Sequence, residues 1–473
     1  MDDMKKTVEE SGIEEVTMWK KAMNRVLTGI TLCVITLQFW RLEYLLPAVG
    51  TMLILLGFRD LRRENRWFRI AWIMAVLRTG VVFFMVMLNT TIFPSCTEAS
   101  EVLSVFSAVG RIILFFLLLC FWRGLDLVGK STDPSFRADS AGALFVWYIL
   151  MYLLAIWEYQ GLIVVGVMLL GYVFTVRGIS RTVKNIELAG YALRPEKKRI
   201  SDRRLVTVIS LTVAVGGGMG YLFGGSYPMN WNSLKPAEQE MAEEIKIYLL
   251  QLGVPEYVLQ DLLPEDLAAC KGAIRAEVQV TDESISPYGE EKGEKPLRCT
   301  SVGVQLPGNP ENWMIVHHFL WVEDPGFYGT ESVQIWPVYQ DISEGWSLDG
   351  EITGRVLCDR DEAVYWSPYY TLGSETVTRD TMFWGNQTSS DVFGTFSMPK
   401  DGKNCRGYVA YPVRALEEGY LISSWMNYTH YRKGWIQYPV LTAMENRMKN
   451  FWDRGPFITV QHALQFFPTD DPS

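Results

Sequence analysis

Histidine is scarce in this chain. The 473 residues include only four: His317, His318, His430 and His462. The sequence also lacks the H-E-x-x-H motif of zinc proteases, the G-x-S-x-G motif of α/β-hydrolases and any C-x-x-C pair. His317 and His318 are neighbours in a predicted strand, so their side chains point to opposite faces and do not suit one metal ion. We therefore predict no catalytic residue, no metal site and no cofactor.

Cysteine is also uncommon, with seven residues in the whole chain. Four of them lie in the second half, at Cys270, Cys299, Cys358 and Cys405. An even number in an oxidising compartment is compatible with two disulfides, for which three connectivities exist. Free thiols are the alternative, and with so few cysteines any disulfides would be accessory to the fold.

The second half of the chain is short of positive charge. Residues 225–473 contain 19 Lys and Arg against 35 Asp and Glu, a net charge of −16, whereas residues 1–224 contain 25 against 18, a net charge of +7. Binding to phosphate backbones requires a basic face. We therefore expect no nucleic acid among the partners.

Long apolar runs dominate the first half. Runs of about 17–25 apolar residues are typical of transmembrane helices. The approximate run bounds are Val26–Trp40, Leu42–Phe58, Phe68–Phe93, Val102–Trp122, Ala141–Trp157, Leu162–Val176 and Leu205–Gly224. They predict an all-α polytopic membrane bundle of about seven transmembrane helices over residues 26–224, after a cytoplasmic segment of residues 1–25. Runs one and two are joined by few residues, and so are runs five and six. Each of these pairs is alternatively a re-entrant hairpin.

Basic residues mark one side of this bundle. The N-terminal segment and alternate loops contain 21 Lys and Arg, whereas the other loops contain only Arg41. The positive-inside rule then predicts a multi-pass protein of the plasma membrane with its N-terminus in the cytoplasm and residues 225–473 outside. The lipid bilayer is thus an expected partner. The loop Arg177–Arg204 is a candidate site for a cytoplasmic partner or an anionic lipid.

Arg78 and Arg111 lie about ten residues inside their apolar runs, a depth of about 15 Å. A charge at the middle of a bilayer is costly and usually faces the interior of the bundle. Each is therefore a candidate for an anion site or for coupling. A buried pairing with acidic residues or helix carbonyls is the structural alternative.

Three glycines of the seventh run, Gly216, Gly220 and Gly224, are spaced four residues apart. This spacing places small residues on one helix face and predicts close helix packing. A hinge that relays a signal is the alternative.

Residues Gly124–Ser131 match the phosphate-loop pattern G-x-x-x-x-G-K-[ST]. The pattern binds nucleotide only between a strand and a helix of an α/β core. A membrane run precedes it here, so we expect an ordinary cytoplasmic loop.

Turn signals and short alternating runs dominate the second half. Residues 225–272 are predicted to form a linker and a juxtamembrane helical unit, with helices near 236–252, 256–262 and 265–270. Predicted strands follow at 274–280, 298–305, 313–322, 331–339, 354–358, 363–366, 376–384, 392–396, 407–413 and 419–428, and a helix at 439–451. We predict an extracytoplasmic α+β domain in which residues 273–473 form an antiparallel β-sandwich with a C-terminal helix.

Two aromatic clusters of this half are candidates for binding. The first contains Trp366, Tyr369 and Tyr370, and the second contains Trp425, Tyr428, His430 and Tyr431. Amphipathic rings are enriched at interfaces. An aromatic core with solvated edges is the structural alternative.

Together these patterns predict an integral membrane protein that presents a β-rich, sensor-like or receptor-like domain to an extracytoplasmic ligand or protein. The alternative is a transporter, or a transporter accessory subunit, that uses the intramembrane arginines.

Overall fold

The structure is a computed structural model. It describes residues 17–34, 41–157, 161–193, 199–234, 243–284, 296–307, 312–339, 345–381, 385–417, 419–432, 436–449 and 455–468. The chain divides into two compact units. One comprises Met1–Asn89 and Cys96–Gly220, and the other comprises Thr90–Ser95 and Tyr221–Ser473. We call them the helical unit and the C-terminal unit.

The helical unit is built from the apolar runs. Its helices are α1 Met18–Val34, α2 Leu42–Leu61, α3 Arg66–Leu88, α4 Thr97–Thr132, α5 Asp139–Ile156, α6 Leu162–Leu188 and α7 Asp202–Phe223. Within the described residues, six of these helices, α2 to α7, are long and apolar enough to cross a membrane. These six spans indicate a membrane protein.

The first predicted run lies only partly within the described residues. Helix α1 begins at Met18, eight residues before the predicted start, and residues 35–40 lie outside the description. Trp19, Met23, Val26 and Ile30 are buried along one face of α1 at helical spacing. A count of seven spans therefore stays a prediction.

Glycine allows α1 and α2 to approach each other closely. A Cβ added to Gly50 would lie 2.6 Å from the carbonyl oxygen of Gly29, and one added to Gly29 would lie 2.6 Å from that of Gly50. A Cβ added to Gly57 would likewise lie 2.8 Å from the carbonyl oxygen of Ala22. Small residues at such crossings increase van der Waals contact between membrane helices. These glycines are in addition to Gly216, Gly220 and Gly224, for which close helix packing was predicted.

Ion pairs join α1 to the last turn of α2 and to the first turn of α7. Arg25 Nη1 of α1 lies 2.9 Å from Asp60 Oδ2 of α2 and 2.9 Å from Asp202 Oδ2 of α7. Arg59 Nη1 lies 3.5 Å from Asp202 Oδ1. Two arginines thus share two carboxylates, and this arrangement holds α1, α2 and α7 together.

The segment that matches a phosphate loop is helical, so the expectation of a loop was wrong. Helix α4 continues through it to Thr132. Gly124 packs against the ring of Phe68 and Gly129 against the ring of Phe136. Lys130 Nζ pairs with Asp126 Oδ2 at 2.7 Å, one helical turn earlier. The two glycines thus make room for aromatic rings within a continuous helix.

The C-terminal unit contains three short helices, two antiparallel sheets and a last helix. The helices are α8 Glu243–Gln251, α9 Glu256–Asp261, α10 Pro264–Ala269 and α11 Ala443–Lys449. The strands are β1 Asn232–Ser233, β2 Arg275–Ser284, β3 Pro296–Gln305, β4 Asn312–Trp321, β5 Glu331–Trp336, β6 Trp346–Leu348, β7 Thr353–Arg360, β8 Ala363–Ser367, β9 Thr371–Thr381, β10 Gly385–Phe396, β11 Lys403–Ala415, β12 Ile422–Tyr431 and β13 Phe457–Phe466. All ten predicted strands are confirmed with shifted ends, whereas β1, β6 and β13 were not predicted.

The first sheet has the strand order β1-β8-β7-β11-β4-β3-β2, with β6 paired to β11. The second sheet has the order β13-β12-β5-β10-β9. Side chains alternate between the two faces of each strand. Ile315 and Phe319 of β4 therefore share one apolar core with Ile335 and Met426 of the second sheet. Val316 points the other way and packs with the helices.

Helices α8 to α10 lie on that second face of the first sheet. Leu249, Val258 and Leu267 share a core with Val316 and Tyr408. Arg355 of β7 fixes the junction of α9 and α10, because its guanidinium donates hydrogen bonds to the carbonyl oxygens of Asp261 and Leu262 at 2.8 and 3.0 Å. These helices thus belong to the packing of the first sheet.

The glycine contact can be tested by adding one methyl group. We expect Gly50→Ala to lower the free energy of unfolding of the helical unit by about 1–3 kcal/mol, because the added Cβ meets backbone that cannot move aside. The matched control is Gly80→Ala, because a Cβ on Gly80 meets nothing within 4 Å. Thermal unfolding of both full-length variants in detergent measures the difference. Equal melting temperatures would contradict the close α1–α2 contact.

Candidate functional site

The structure separates the first aromatic cluster into core and edge. Tyr369 is buried, and its hydroxyl donates to the carbonyl oxygen of Tyr408 at 3.1 Å. Tyr370 is half-buried and stacks on Tyr227 at 4.4 Å between ring centroids. Trp366 is half-buried, with the guanidinium carbon of Arg355 5.7 Å from its ring centroid.

The second cluster lies on β12, where the strand alternation sends its members to opposite faces. Tyr428 and His430 point into the shared core and are buried. Tyr431 is half-buried against Phe457, with ring centroids 5.4 Å apart. Trp425 lies on the outer face of the second sheet and is half-buried.

The inward members of β12 surround a buried carboxylate, Glu331 of β5. Glu331 is fully buried. Its side chain accepts a hydrogen bond from the Tyr428 hydroxyl at 2.9 Å, and His430 Nδ1 lies 3.0 Å from both of its oxygens. The Trp321 indole donates to the Tyr428 hydroxyl at 3.1 Å. Because a buried carboxylate requires partners, this network explains why polar groups occur in an apolar core. Sequence reasoning did not identify Glu331.

A second histidine network also lies inside the unit. His317 Nδ1 is hydrogen-bonded to Ser301 Oγ at 2.6 Å, and His317 Nε2 to Ser424 Oγ at 2.7 Å. Ser424 Oγ also contacts the Tyr411 hydroxyl at 2.6 Å. A serine beside an imidazole is the pairing of a nucleophile and its base. Both side chains are fully buried, so a substrate does not reach them in this conformation.

Burial sets the charge of His317. Removal from water, together with the charge of nearby His462, lowers the pKa of His317 to about 3. The imidazole is therefore neutral near pH 7, and in this uncharged form it is hydrogen-bonded to Ser301 and Ser424.

His318, on the opposite face of β4, contacts a buried acid. Its Nε2 lies 2.8 Å from Asp261 Oδ2, and Arg406 Nε donates to Asp261 Oδ1 at 2.9 Å. Burial alone would raise the pKa of Asp261. The hydrogen bond of His318 and the charge of Arg406 outweigh burial and hold that pKa below its usual value. This cluster ties helix α9 to the first sheet.

The outer face of the second sheet combines two tryptophans with buried polar groups. Trp425 is directly opposite Trp336 in the β12–β5 register, and Asn427 is opposite Gln334. Helix α11 packs over this face. Arg447 of α11 donates from Nε to Gln334 Oε1 at 2.7 Å. Gln334 in turn donates to Asp391 of β10.

Part of this face has unused hydrogen-bonding capacity. Ser332 Oγ and Asn427 Nδ2 are buried and have no hydrogen-bond partner among the described residues. Unsatisfied buried polar atoms are rare because each costs free energy. Aromatic rings beside hydrogen-bonding groups can bind an amphipathic ligand such as a sugar ring or a peptide. We call the outer face at Trp336, Trp425, Gln334 and Asn427 the tryptophan face.

The segment that contains α11 also contacts Ser95 and Tyr221 of the same unit. Glu445 accepts a hydrogen bond from the Thr442 backbone at 3.1 Å, as in a helix-capping interaction, and another from Ser95 Oγ at 2.6 Å. Ser95 belongs to the connection between α3 and α4. Tyr221, in the last turn of α7, donates from its hydroxyl to the carbonyl oxygen of Gln437 at 2.7 Å. All these residues belong to the C-terminal unit.

The two intramembrane arginines have different surroundings. The guanidinium carbon of Arg111 lies 5.6 Å from the ring centroid of Tyr152, and the side chain is exposed at the surface of the helical unit. Arg78 is half-buried, and its Nε is buried without a hydrogen-bond partner in the described part of the chain. Their assignment to an anion site stays a prediction.

The three spaced glycines also differ from one another. A Cβ added to Gly216 would lie 2.3 Å from Met87 Sδ of α3, so Gly216 makes a helix contact. Gly220 is half-buried in α7. The Gly224 carbonyl oxygen accepts a hydrogen bond from the Ile92 backbone at 2.8 Å.

The cysteines of the C-terminal unit are all buried. Cys270, Cys358 and Cys405 are free thiols in the structure. Burial raises the pKa of Cys270 to about 12 and that of Cys358 to about 11, and it also raises the pKa of Cys405. Cys299 is fully buried. The thiols of Cys270, Cys358 and Cys405 therefore stay protonated and unreactive. Within the described residues, no group of three or more His, Cys, Asp or Glu side chains could hold a metal ion.

The comparisons with known proteins found no matching family model and no matching curated protein. Two solved structures resemble parts of the chain. One is titled "Crystal structure of the KRT10-binding region domain of the pneumococcal serine rich repeat protein PsrP", with 12% identity over 34% of this chain and 89% of that chain, at a TM-score of 0.20. The other is titled "Pore forming protein", with 8% identity over 41% of this chain and 94% of that chain, at a TM-score of 0.17.

The buried state of His317 predicts a pH dependence. An imidazole has a pKa of about 6.5 when unfolded, and burial holds that of His317 near 3. Between these values the unfolded state binds the extra proton. The free energy of unfolding should therefore fall as the pH drops from 6.5 towards 3, by at most about 1.4 kcal/mol per pH unit for this group. Urea unfolding of the full-length protein in detergent between pH 7 and pH 4.5 measures the slope.

The matched variant is His317→Gln, which cannot gain this proton. Its slope below pH 6.5 should be smaller than that of the wild type, and both proteins should behave alike between pH 7 and pH 8. Identical slopes below pH 6.5 would contradict the account.

Proposed function

We propose that the chain is a multi-pass protein of the plasma membrane in which the C-terminal unit binds an extracytoplasmic ligand or partner protein and acts as a sensor or receptor. In this proposal α1 is a seventh membrane helix, and the two sheets form a β-sandwich. The observation that carries the proposal is that helix α11 packs over the tryptophan face, while the segment 436–449 that contains it also contacts Ser95 and Tyr221.

The distribution of basic residues supports the orientation. Thr90–Ser95, the connection between α3 and α4, is part of the C-terminal unit. This connection contains no Lys or Arg, whereas the loop between α2 and α3 contains Arg62 and Arg63. The positive-inside rule assigns the arginine-rich loops to the cytoplasm, and hence the C-terminal unit to the other side.

The tryptophan face is the proposed binding site. Two half-buried rings offer apolar area at low entropic cost, and the unsatisfied atoms of Ser332 and Asn427 offer hydrogen bonds to a ligand. The face is covered through polar contacts between Arg447, Gln334 and Asp391. Because water can replace polar contacts better than apolar ones, a ligand could shift α11 without exposing an apolar core.

The effect of ligand binding would reach the membrane helices through Glu445, the capping residue of α11. A ligand that moves α11 also moves Glu445, which accepts a hydrogen bond from Ser95. Since Ser95 lies between α3 and α4, the bound state can bias the two spans that contain Arg78 and Arg111. A ligand shifts such an equilibrium only through its different affinity for the two states.

Ligand binding can be tested on the full-length protein in lipid nanodiscs. A panel of glycans, cell-wall fragments, peptides and divalent metals is screened by thermal unfolding. A ligand at 100 times its Kd should stabilise the protein by about 2.7 kcal/mol. The stabilisation should be lost in Trp425→Ala and retained in Trp366→Ala, which removes a half-buried tryptophan from the other sheet. Equal loss in the two variants would contradict a site at the tryptophan face.

Orientation has a separate test. Alkaline phosphatase, which is active only outside the cytoplasm, should be active when fused after Ser473, and a fluorescent protein that requires the cytoplasm should be dark there. The reverse pattern would overturn the assigned orientation.

A further inference from the structure

A cleft of about 330 Å³ lies between α2, α3 and the beginning of α7 in the helical unit. Its polar end is formed by Arg59 and Arg62 at the end of α2 and by Arg199 just before α7. The described residues that line the cleft include no Asp or Glu. The lining of the cleft is therefore positive at one end.

The charge of Arg59 is only partly compensated. Arg59 is buried and donates a hydrogen bond from Nη2 to the Ile200 carbonyl oxygen. Its Nη1 lies 3.5 Å from Asp202 and has no hydrogen-bond partner among the described residues. Asp202 is itself shared with Arg25 at 2.9 Å. An added anion would supply the missing acceptor for a buried guanidinium, which binds phosphate well.

The two other arginines are placed at the mouth of the cleft. The guanidinium carbon of Arg62 lies 5.1 Å from the ring centroid of Trp72, a cation–π contact that orients it. Arg199 is exposed. Tryptophan and arginine at the ends of membrane helices are typical of the headgroup layer.

The rest of the cleft is apolar and continues into the membrane span. Leu55, Val76, Leu205 and Ile209 line it from three helices. Val76 lies ten residues after the first residue of α3, about 15 Å along the helix axis. Val76 is 44% exposed, so this wall is open at the side that faces the bilayer. A soluble anion would not use these walls, whereas an acyl chain would.

We propose that this cleft binds an anionic phospholipid, with its phosphate held by Arg59, Arg62 and Arg199 and one acyl chain along Val76 and Ile209. Because Asp202 and Arg25 join α7 to α1 and α2 beside the same cleft, the bound lipid stabilises the packing of these helices. The lipid site does not depend on the function proposed for the C-terminal unit.

Native mass spectrometry of the full-length protein in detergent tests the site with defined lipids. Phosphatidylglycerol should bind more tightly than phosphatidylcholine with the same acyl chains. One basic residue near an anionic headgroup changes affinity about 5-fold, so Arg62→Gln with Arg199→Gln should weaken phosphatidylglycerol binding about 25-fold. The matched control is Arg203→Gln with Arg204→Gln, which removes the same charge from exposed positions that do not line the cleft.

A second variant tests the acyl-chain wall without any change of charge. Val76→Trp fills the lateral opening and should also weaken phosphatidylglycerol binding, with an unchanged melting temperature of the lipid-free protein. Inorganic phosphate at 10 times the lipid concentration should not displace the lipid. Equal binding of the two lipids, equal loss in the control pair, or displacement by phosphate would each overturn the proposal, and displacement would instead identify a site for soluble anions.

Discussion

The alternation of side chains along β5 and β12 is the constraint on which the C-terminal unit depends. One set of positions, which includes Val333, Ile335 and Met426, supplies the core that the two sheets share. The other set, which includes Gln334 and Asn427, forms an outer face that α11 covers through polar contacts. A shift of one residue would exchange the two sets and place Gln334 in the apolar core. The period of two therefore fixes both the core and the face that we assign to binding.

In the helical unit, small residues and ion pairs select which helices pack together. Apolar surface gives little preference for one helix neighbour over another inside a bilayer, because lipid is as apolar as leucine. Selective contacts must then come from small residues and from polar groups. Gly29 and Gly50 supply the first kind, and the shared pairs of Arg25, Asp60 and Asp202 supply the second. The positive cleft at Arg59 follows from this arrangement, since two arginines divide one aspartate between them.

Most of the architecture could be predicted from the sequence, because it depends on periodicity and turn residues. The long apolar runs and the ten strands follow from local pattern. Strand β13 was missed although its residues alternate, because the predicted C-terminal helix ended at residue 451 and no element was assigned to the residues after it. The predicted loop at Gly124–Ser131 was wrong because helix α4 continues to Thr132, and glycine does not end it where the space is needed for Phe68 and Phe136.

The site was harder to predict, because it depends on pairings between distant segments. Trp425 was selected for its aromatic neighbours and lies on the outer face. Tyr428 belongs to the same cluster but is buried, and its hydroxyl is hydrogen-bonded to Glu331, 97 positions away in the chain. Gln334 and Asp391 have the usual pattern of solvent-facing strand residues, and nothing local shows that α11 covers them. The contact of Glu445 with Ser95 joins residues 350 positions apart. Such contacts require the tertiary structure.

The central claim is that Glu445 links helix α11, which covers the tryptophan face, to the connection between α3 and α4. A double-mutant cycle with Ser95→Ala and Glu445→Gln, measured as free energies of unfolding of the full-length protein in detergent, tests it most directly. The account predicts a coupling energy of about 1 kcal/mol or more between the two changes, because Ser95→Ala removes the donor and Glu445→Gln removes the negative charge of the acceptor in a charge-assisted hydrogen bond. Additive effects within about 0.3 kcal/mol would contradict the link.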